Sequence, residues 1–268
     1  MTTKAVYPLA ASLVAVSLVG VAIARHQAPW PNLERLTGYS HPASGSAASG
    51  QVAAGDTCTA NGDATPGTIK AKNNRLKNRW RIGNDPTARY DSAEEMDFVS
   101  LARLAPGDNE PIPSPYDDRQ QKFVKIEGWV RYAGPSGSSG ESCNCGTKVR
   151  SQLDTHIEIV PDNTPELMNR DSSAGPVESK GVVIVETTER SRRLAAEGLL
   201  RTNIGTNWSH GKLKSKLVGK RVRFYGYLFF DYSHVNEDWR TDPQDVRDVA
   251  NWRESCWEIH PVMGIEVL

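Results

Sequence analysis

From Phe123 onward the chain keeps returning to a two-residue rhythm, and that rhythm constrains its fold more than any other feature. In "FVKIEGWVRY", Val124, Ile126, Gly128 and Val130 alternate with Lys125, Glu127, Trp129 and Arg131. Successive side chains of a strand point to opposite faces, so the pattern predicts a strand with two unlike faces. "DTHIEIV" sets Asp154, His156 and Glu158 against Thr155, Ile157 and Ile159. "KRVRFYGYLFFD" sets Val222, Phe224, Gly226, Leu228 and Phe230 against Arg221, Arg223, Tyr225, Tyr227 and Phe229. In the closing "CWEIHP", Cys256, Glu258 and His260 form one row and Trp257, Ile259 and Pro261 the other, which predicts one wet and one dry face. "GVVIVETTE" is instead a nearly continuous β-branched run, as expected of a strand covered on both sides. "SRRLAAEGLLR", after it, is rich in helix formers. The expected order is strand, strand, strand, helix, strand, strand. Two long loops interrupt it: "PSGSSGESCNCGTK", and the polar stretch from Tyr232 to Glu254.

The segment ahead of this region divides into three. Lys4 precedes an uncharged run, Ala5 to Ala24, that ends in the small-x-small tripeptide Ala22-Ile23-Ala24. Residues 1–25 therefore read as a signal peptide or a retained membrane anchor, since about 20 apolar residues also span a bilayer. Either way the chain is expected to be exported: periplasmic, extracellular or membrane-anchored. Residues 26–67 read as a flexible tether, because 41–67 is Gly/Ser/Ala-rich and has too little apolar surface to order itself. Residues 68–121 read as a basic and irregular segment wrapping the domain. Within it "IKAKNNRLKNRWRI" is expected to dock through Leu76 and Trp80, four positions apart, with contact to an anionic partner as the alternative. Lys plus Arg equals Asp plus Glu, at 32 each, so no global field directs the chain to nucleic acid or membrane.

With that element order, glycine placement and pair of long loops, residues 122–268 resemble an OB-fold, a mainly β, five-stranded Greek-key barrel with a helix between strands three and four. The segments "DTHIEI" and "CWEIHPV" are also similar to those of uncharacterised exported bacterial proteins, a likeness that brings no activity with it. The OB resemblance implies that the loop between strands one and two and the loop between strands four and five flank the ligand face.

Asp154 and His156 follow the first of these loops, Asp231 and His234 open the second, and Cys256, Glu258 and His260 leave it. They are expected to meet at the mouth of the barrel. Histidine with carboxylate suits a divalent ion such as zinc, so His156, His260, Asp231 and Asp154 are candidate metal ligands. Such an ion would make the protein a metal-dependent hydrolase, phosphodiesterase- or nuclease-like, with His156, His234, His260 and Glu258 as its catalytic set. A histidine beside a carboxylate also serves as a proton shuttle. The plainer alternative is that His156 and His260 bond to loop backbone while Asp154 and Glu258 satisfy neighbouring strands.

The leading expectation is a binding module for nucleic acid or an oligosaccharide. Arg221, Arg223, Tyr225 and Tyr227 of the fourth strand, with Trp129 and Arg131 of the first, compose a basic-aromatic row on which bases or sugars stack. The competing expectation is that residues 69–121 cover these rings as a second small core. The chain has no GxSxG elbow and neither GxxxxGK[ST] nor GxGxxG, so no nucleotide cofactor is expected.

Export favours disulfides among Cys58, Cys143, Cys145 and Cys256. Zinc through Cys143, Cys145 and Cys256 is the alternative, but the two-residue knuckle spacing is absent. One bridge is expected to join Cys143 or Cys145 to Cys256 across the two long loops, leaving Cys58 to the remaining partner.

Overall fold

A computed structural model of the chain describes residues 58–79, 86–104, 117–137, 140–170, 181–231 and 253–268. The leader at 1–25, the tether as far as residue 57, and Trp80, His234, Trp239 and Trp252 lie outside the described residues.

Five strands close into a mixed barrel. They are β2 (Phe123–Pro135), β3 (Thr155–Val160), β4 (Val183–Thr187), β6 (Arg221–Phe230) and β7 (Trp257–Val267). Pairing runs β2–β3–β4–β7, and β6 bonds to both β7 and β2, which seals the sheet. All these pairs are antiparallel except β4–β7, which is parallel through Val185 and Ile259. Two short strands extend the sheet: β1 (Glu94–Met96) runs parallel to β2, and β5 (Arg201–Thr202) parallel to β7.

The dry rows of the sequence fill the barrel. Val124, Ile126 and Val130 meet Ile157, Ile159, Val183, Val185, Val222, Phe224, Leu228, Phe230, Trp257 and Ile259 in one buried cluster. Burying such a side chain contributes roughly 1.5–3 kcal/mol, so this interior is the main stabilising term. Gly226 belongs to the row for a steric reason. A Cβ there would lie 2.5 Å from both Ile259 Cγ2 and the Pro261 carbonyl, where β6 and β7 cross with shifted register. The short helix α4 (Pro165–Met168) follows β3, and two helices, α5 (Glu189–Ala196) and α6 (His210–Leu217), fall between β4 and β6 in sequence. Thr188 caps α5 by accepting from the Ser191 amide, and α6 buries Leu213 and Leu217. Trp208, just before α6, is buried and donates to the Gly205 carbonyl, so it is a packing anchor.

The outward row of β6 is not free. Tyr225 and Tyr227 are buried beneath the segment that precedes the barrel. In that segment α1 (Ile69–Lys77) is followed by α2 (Pro86–Asp91), β1 and α3 (Phe98–Arg103). Tyr90 makes edge contacts with Tyr225 and Phe123, and Arg79 lies 4.4 Å from the centre of the Tyr227 ring. These aromatic rings are thus covered by the preceding segment and join the main core cluster instead of forming a separate one. The basic helix docks through buried Ala71, Asn74 and Leu76, the Thr68 hydroxyl capping its first turn.

The cysteines pair differently from the expected cross-loop bridge. Cys58 bonds to Cys145, with Cα atoms 5.7 Å apart, while Cys143 and Cys256 are buried and take no part in a disulfide. Cys145 takes a left-handed conformation at the end of a 3₁₀ turn. Cys143, two residues earlier, directs its sulfur towards Glu141 and Asp154 instead. Cys256 packs into the barrel core. What survives of the expectation is that Cys58 pins the preceding segment to the domain.

The bridge spans 87 positions, and closing a loop of that size restricts the unfolded chain by about 4–5 kcal/mol. Cys58→Ser should therefore lower the unfolding free energy by several kcal/mol in urea titration and raise the m-value, because the released unfolded chain exposes more surface. Non-reducing peptide mapping should recover Cys58 with Cys145; a peptide joining either loop cysteine to Cys256 would contradict this pairing.

Candidate metal centre

The strand register assembles the polar cluster. With Ile157, Val185 and Ile259 facing the core, their neighbours His156, Glu186, Glu258 and His260 face the opposite side of the sheet. His156 lies directly across from Glu186 in the β3–β4 ladder, and Glu186 and His260 each follow one of the partnered residues of β4–β7. A lateral row, His156–Glu186–His260, therefore crosses three strands on the outer wall of the barrel. The sequence placed these groups at the barrel mouth on a wet face. The structure gathers them on the wall and buries them, Glu258 at 1% and His260 at 0% exposure.

The His260 imidazole is surrounded by carboxylates. Nδ1 lies 2.9 Å from Glu258 Oε1 and 3.3 Å from Glu186 Oε2, and Nε2 lies 3.4 Å from Asp154 Oδ2. Glu186 is also held by His156, whose Nδ1 is 2.8 Å from Oε1. Asp154, entirely buried, comes from the turn just before β3. Two atoms here make no hydrogen bond although fully enclosed: His260 Nε2 and Asp154 Oδ1. Nε2 is met only by the ion-pair contact with Asp154 Oδ2 at 3.4 Å, and an enclosed atom with no partner at all costs about 1–3 kcal/mol.

A roof of cations closes the cluster. Lys77, at the end of α1, pairs with Glu141 at 3.0 Å and Asp231 at 3.4 Å, and its ammonium sits 5.4 Å from the Phe229 ring centre. Asn78 donates to the Cys143 carbonyl at 2.8 Å, and Arg79 donates to the carbonyls of Leu228 and His260. Arg253 reaches Glu258 at 3.5 Å. Farther along β3, Arg131 and Arg170 clamp Glu158 at 2.7 and 3.0 Å. Arg192, buried, ties the Ser151 and Leu153 carbonyls to α5 and so fixes the turn carrying Asp154.

This environment moves the titrations. Burial alone would lower the imidazole of His260, but Asp154 and Glu258 outweigh it and raise it to about 10. His156 is raised to about 9 by Glu158 and Glu186 against the same desolvation. Burial pushes Asp154 and Glu258 up, and it pushes the Cys143 thiol up as well. Glu158 is resisted by burial yet held down to about 2 by His156 and Arg131.

Cation-binding geometry is present in two overlapping sets. One ligand atom each of Asp154, Glu186 and His260 lie within 4.8 Å of one another, and so do those of Glu141, Cys143 and Asp154. In the first set Glu258 and Glu186 lie nearest Nδ1 of His260, and Asp154 lies nearest Nε2. That is the carboxylate–histidine arrangement that orients a metal-binding imidazole. Of the residues expected from sequence, Asp154, His156, Glu258 and His260 come together here. Asp231 joins through Lys77, and His234 lies outside the described residues. Glu186, Glu141 and Lys77 were not anticipated, and Cys143 was expected only as a bridge cysteine or as a zinc ligand with Cys145 and Cys256. Glu186 had a signal: a lone carboxylate at the end of a run expected to be covered on both sides requires a buried partner.

The basic-aromatic row does not form an open surface. Besides the buried tyrosines, Arg221 and Arg223 both pair with Glu127, and Arg131 is committed to Glu158. Trp129 packs against Val160, Leu167, Val182 and Ile184.

No protein-family model, curated protein or solved structure matches this chain. The likeness of the "DTHIEI" and "CWEIHPV" segments therefore rests on those residues alone.

Glu158 carries the acid sensitivity of this wall. Its folded pKa is depressed from 4.5 to about 2, so its stabilisation is complete above pH 4.5 and is lost as pH falls through about 2. The shift corresponds to about 3 kcal/mol. Glu158→Gln should make stability less dependent on pH between 4.5 and 2 while lowering it at pH 7, where Arg131 loses its partner. Equal slopes in urea titrations of the two proteins over that window would contradict this role.

Proposed function

We propose that this chain is an exported protein with an OB-type barrel that binds a divalent transition-metal ion at Asp154, Glu186 and His260 and hydrolyses phosphodiester-type substrates with it. The parallel β4–β7 pairing, and the helices lying between the third and fourth barrel strands in sequence, support the OB type. The leader-like first 25 residues and the Cys58–Cys145 bridge support export, because disulfides persist in oxidising compartments. Among the described residues no helix is long and apolar enough to cross a membrane.

The observation that carries the metal reading is the pair of enclosed atoms without hydrogen bonds, His260 Nε2 and Asp154 Oδ1, beside a third ligand. One nitrogen and two carboxylates suit zinc and its neighbours. An ion there would act as a Lewis acid and lower the pKa of a bound water. The protein's own part is to orient: Glu258 sets the His260 ring, His156 turns Glu186, and the Lys77 roof keeps the carboxylates out of bulk water. The carboxylates that hold a proton on His260 hold a cation in its place, so metal and proton compete for the imidazole. Nucleic-acid or oligosaccharide binding on the β2–β6 face has less support, since its rings are covered and its arginines paired.

Elemental analysis of the purified protein should find at least one zinc-type ion per chain, released by chelator, and fewer in His260→Ala. Zinc at a hundred times its Kd should stabilise the apoprotein by about 2.7 kcal/mol. Cleavage of a chromogenic phosphodiester should follow metal content. Folded protein with no ion and no zinc stabilisation would overturn the site; a bound ion with no cleavage would overturn the hydrolase assignment alone.

A further inference from the structure

The second ligand set is not explained by one ion. Cys143 directs its sulfur at carboxylates, 3.4 Å from Glu141 Oε2 and 4.0 Å from Asp154 Oδ2, an unusual setting for a buried thiol. Asp154 Oδ2 also faces His260 Nε2, so this one carboxylate stands between the two sets. Its other oxygen, Oδ1, is enclosed and makes no hydrogen bond. A carboxylate common to two ligand triads, with one oxygen unmatched, is placed as a bridge between two cations. The turn that presents Cys143 is held rigidly. The Cys58–Cys145 bridge clamps one side, Asn74 bonds to the Ser142 hydroxyl at 2.8 Å, and Asn78 bonds to the Cys143 carbonyl at 2.8 Å. The disulfide therefore fixes the geometry of the free thiol two residues away from it.

We propose that Glu141 and Cys143 form a second divalent-cation position that shares Asp154 with the first, making the centre dinuclear. The proposal rests on the metal reading of Asp154, Glu186 and His260. A thiolate beside two carboxylates selects a borderline ion such as zinc or cobalt over magnesium or calcium. On binding, the Cys143 S–H bond breaks, its proton passes to solvent, and a sulfur–metal bond forms with no change in oxidation state. The incoming ion competes with Lys77 for Glu141, and Asp231 remains as the ammonium's partner. Paired cations bridged by a carboxylate suit in-line displacement at phosphorus, because each steadies one of the two oxygens that exchange.

Cobalt tests this on the full chain, isolated without reductant so that its disulfide is intact. After equilibration with Co²⁺ and removal of free ion, wild type should hold two cobalt per chain and show a near-ultraviolet thiolate-to-cobalt absorption. Cys143→Ser should hold one cobalt and lose that band. If Cys143→Ser does not fold, as judged by circular dichroism, Glu141→Gln takes its place and should likewise lose one cobalt. One cobalt without the band in wild type overturns the second position and leaves the first standing. One cobalt with the band makes Cys143 a ligand of a single ion and overturns the dinuclear centre. Two cobalt in the folded variant overturns the assignment of its ligands. No cobalt in wild type removes both readings.

Discussion

Closure of the five-stranded sheet by β6, which pairs with β7 on one side and β2 on the other, is the constraint on which the rest of the structure depends. Once the sheet is closed, each strand has one face committed to an apolar interior. Everything polar on the alternate positions must then lie on the outer wall, at a spacing set by the ladders. The parallel contact between Val185 and Ile259 matters most for chemistry, because it brings Glu186 beside His260. A shift of either strand by one residue would exchange its two faces and place these charges in the core.

An outer wall is ordinarily solvated, and here it is not. Six carboxylates, Glu141, Asp154, Glu158, Glu186, Asp231 and Glu258, are drawn into contact with histidine, lysine and arginine under the docked α1 segment. Removing such charges from water costs several kcal/mol per ion unless partners are supplied. The Cys58–Cys145 bridge helps because it fixes the segment that carries Lys77. The roof that compensates the carboxylates also encloses the proposed ligand atoms of His260 and Asp154, so stability and the proposed chemistry are joined. Enclosure strengthens every charge interaction inside.

The sequence made the barrel legible because interior rows must be apolar at every second position. "FVKIEGWVRY", "DTHIEIV", "GVVIVETTE" and "KRVRFYGYLFFD" coincide with β2, β3, β4 and β6. Strands of two and three residues, β5 and β1, carry no such pattern, and "HGKLKSKL" hides α6 behind its lysines. The outer rows were harder to read. Tyr225 and Tyr227 look alike in sequence whether they face solvent or Tyr90, and only the docking of the preceding segment decides. The site was half legible: Asp154, His156, Glu258 and His260 stand out as polar groups on strands. Glu186, Lys77 and Cys143 join them through long-range register and loop placement, which local pattern does not encode. Disulfide choice failed for the same reason, since the 3₁₀ turn points Cys143 and Cys145 in different directions.

Barrel register and the α1 roof together would assemble the proposed cation site from residues about a hundred positions apart. Anomalous diffraction at the zinc edge, on crystals of the metal-treated protein, tests this most directly. A strong peak is expected about 2.0–2.1 Å from His260 Nε2, with oxygens of Asp154 and Glu186 in the same coordination shell. A well-ordered His260 bonded only to protonated or ion-paired carboxylates, with no peak within reach of its Nε2, would contradict it.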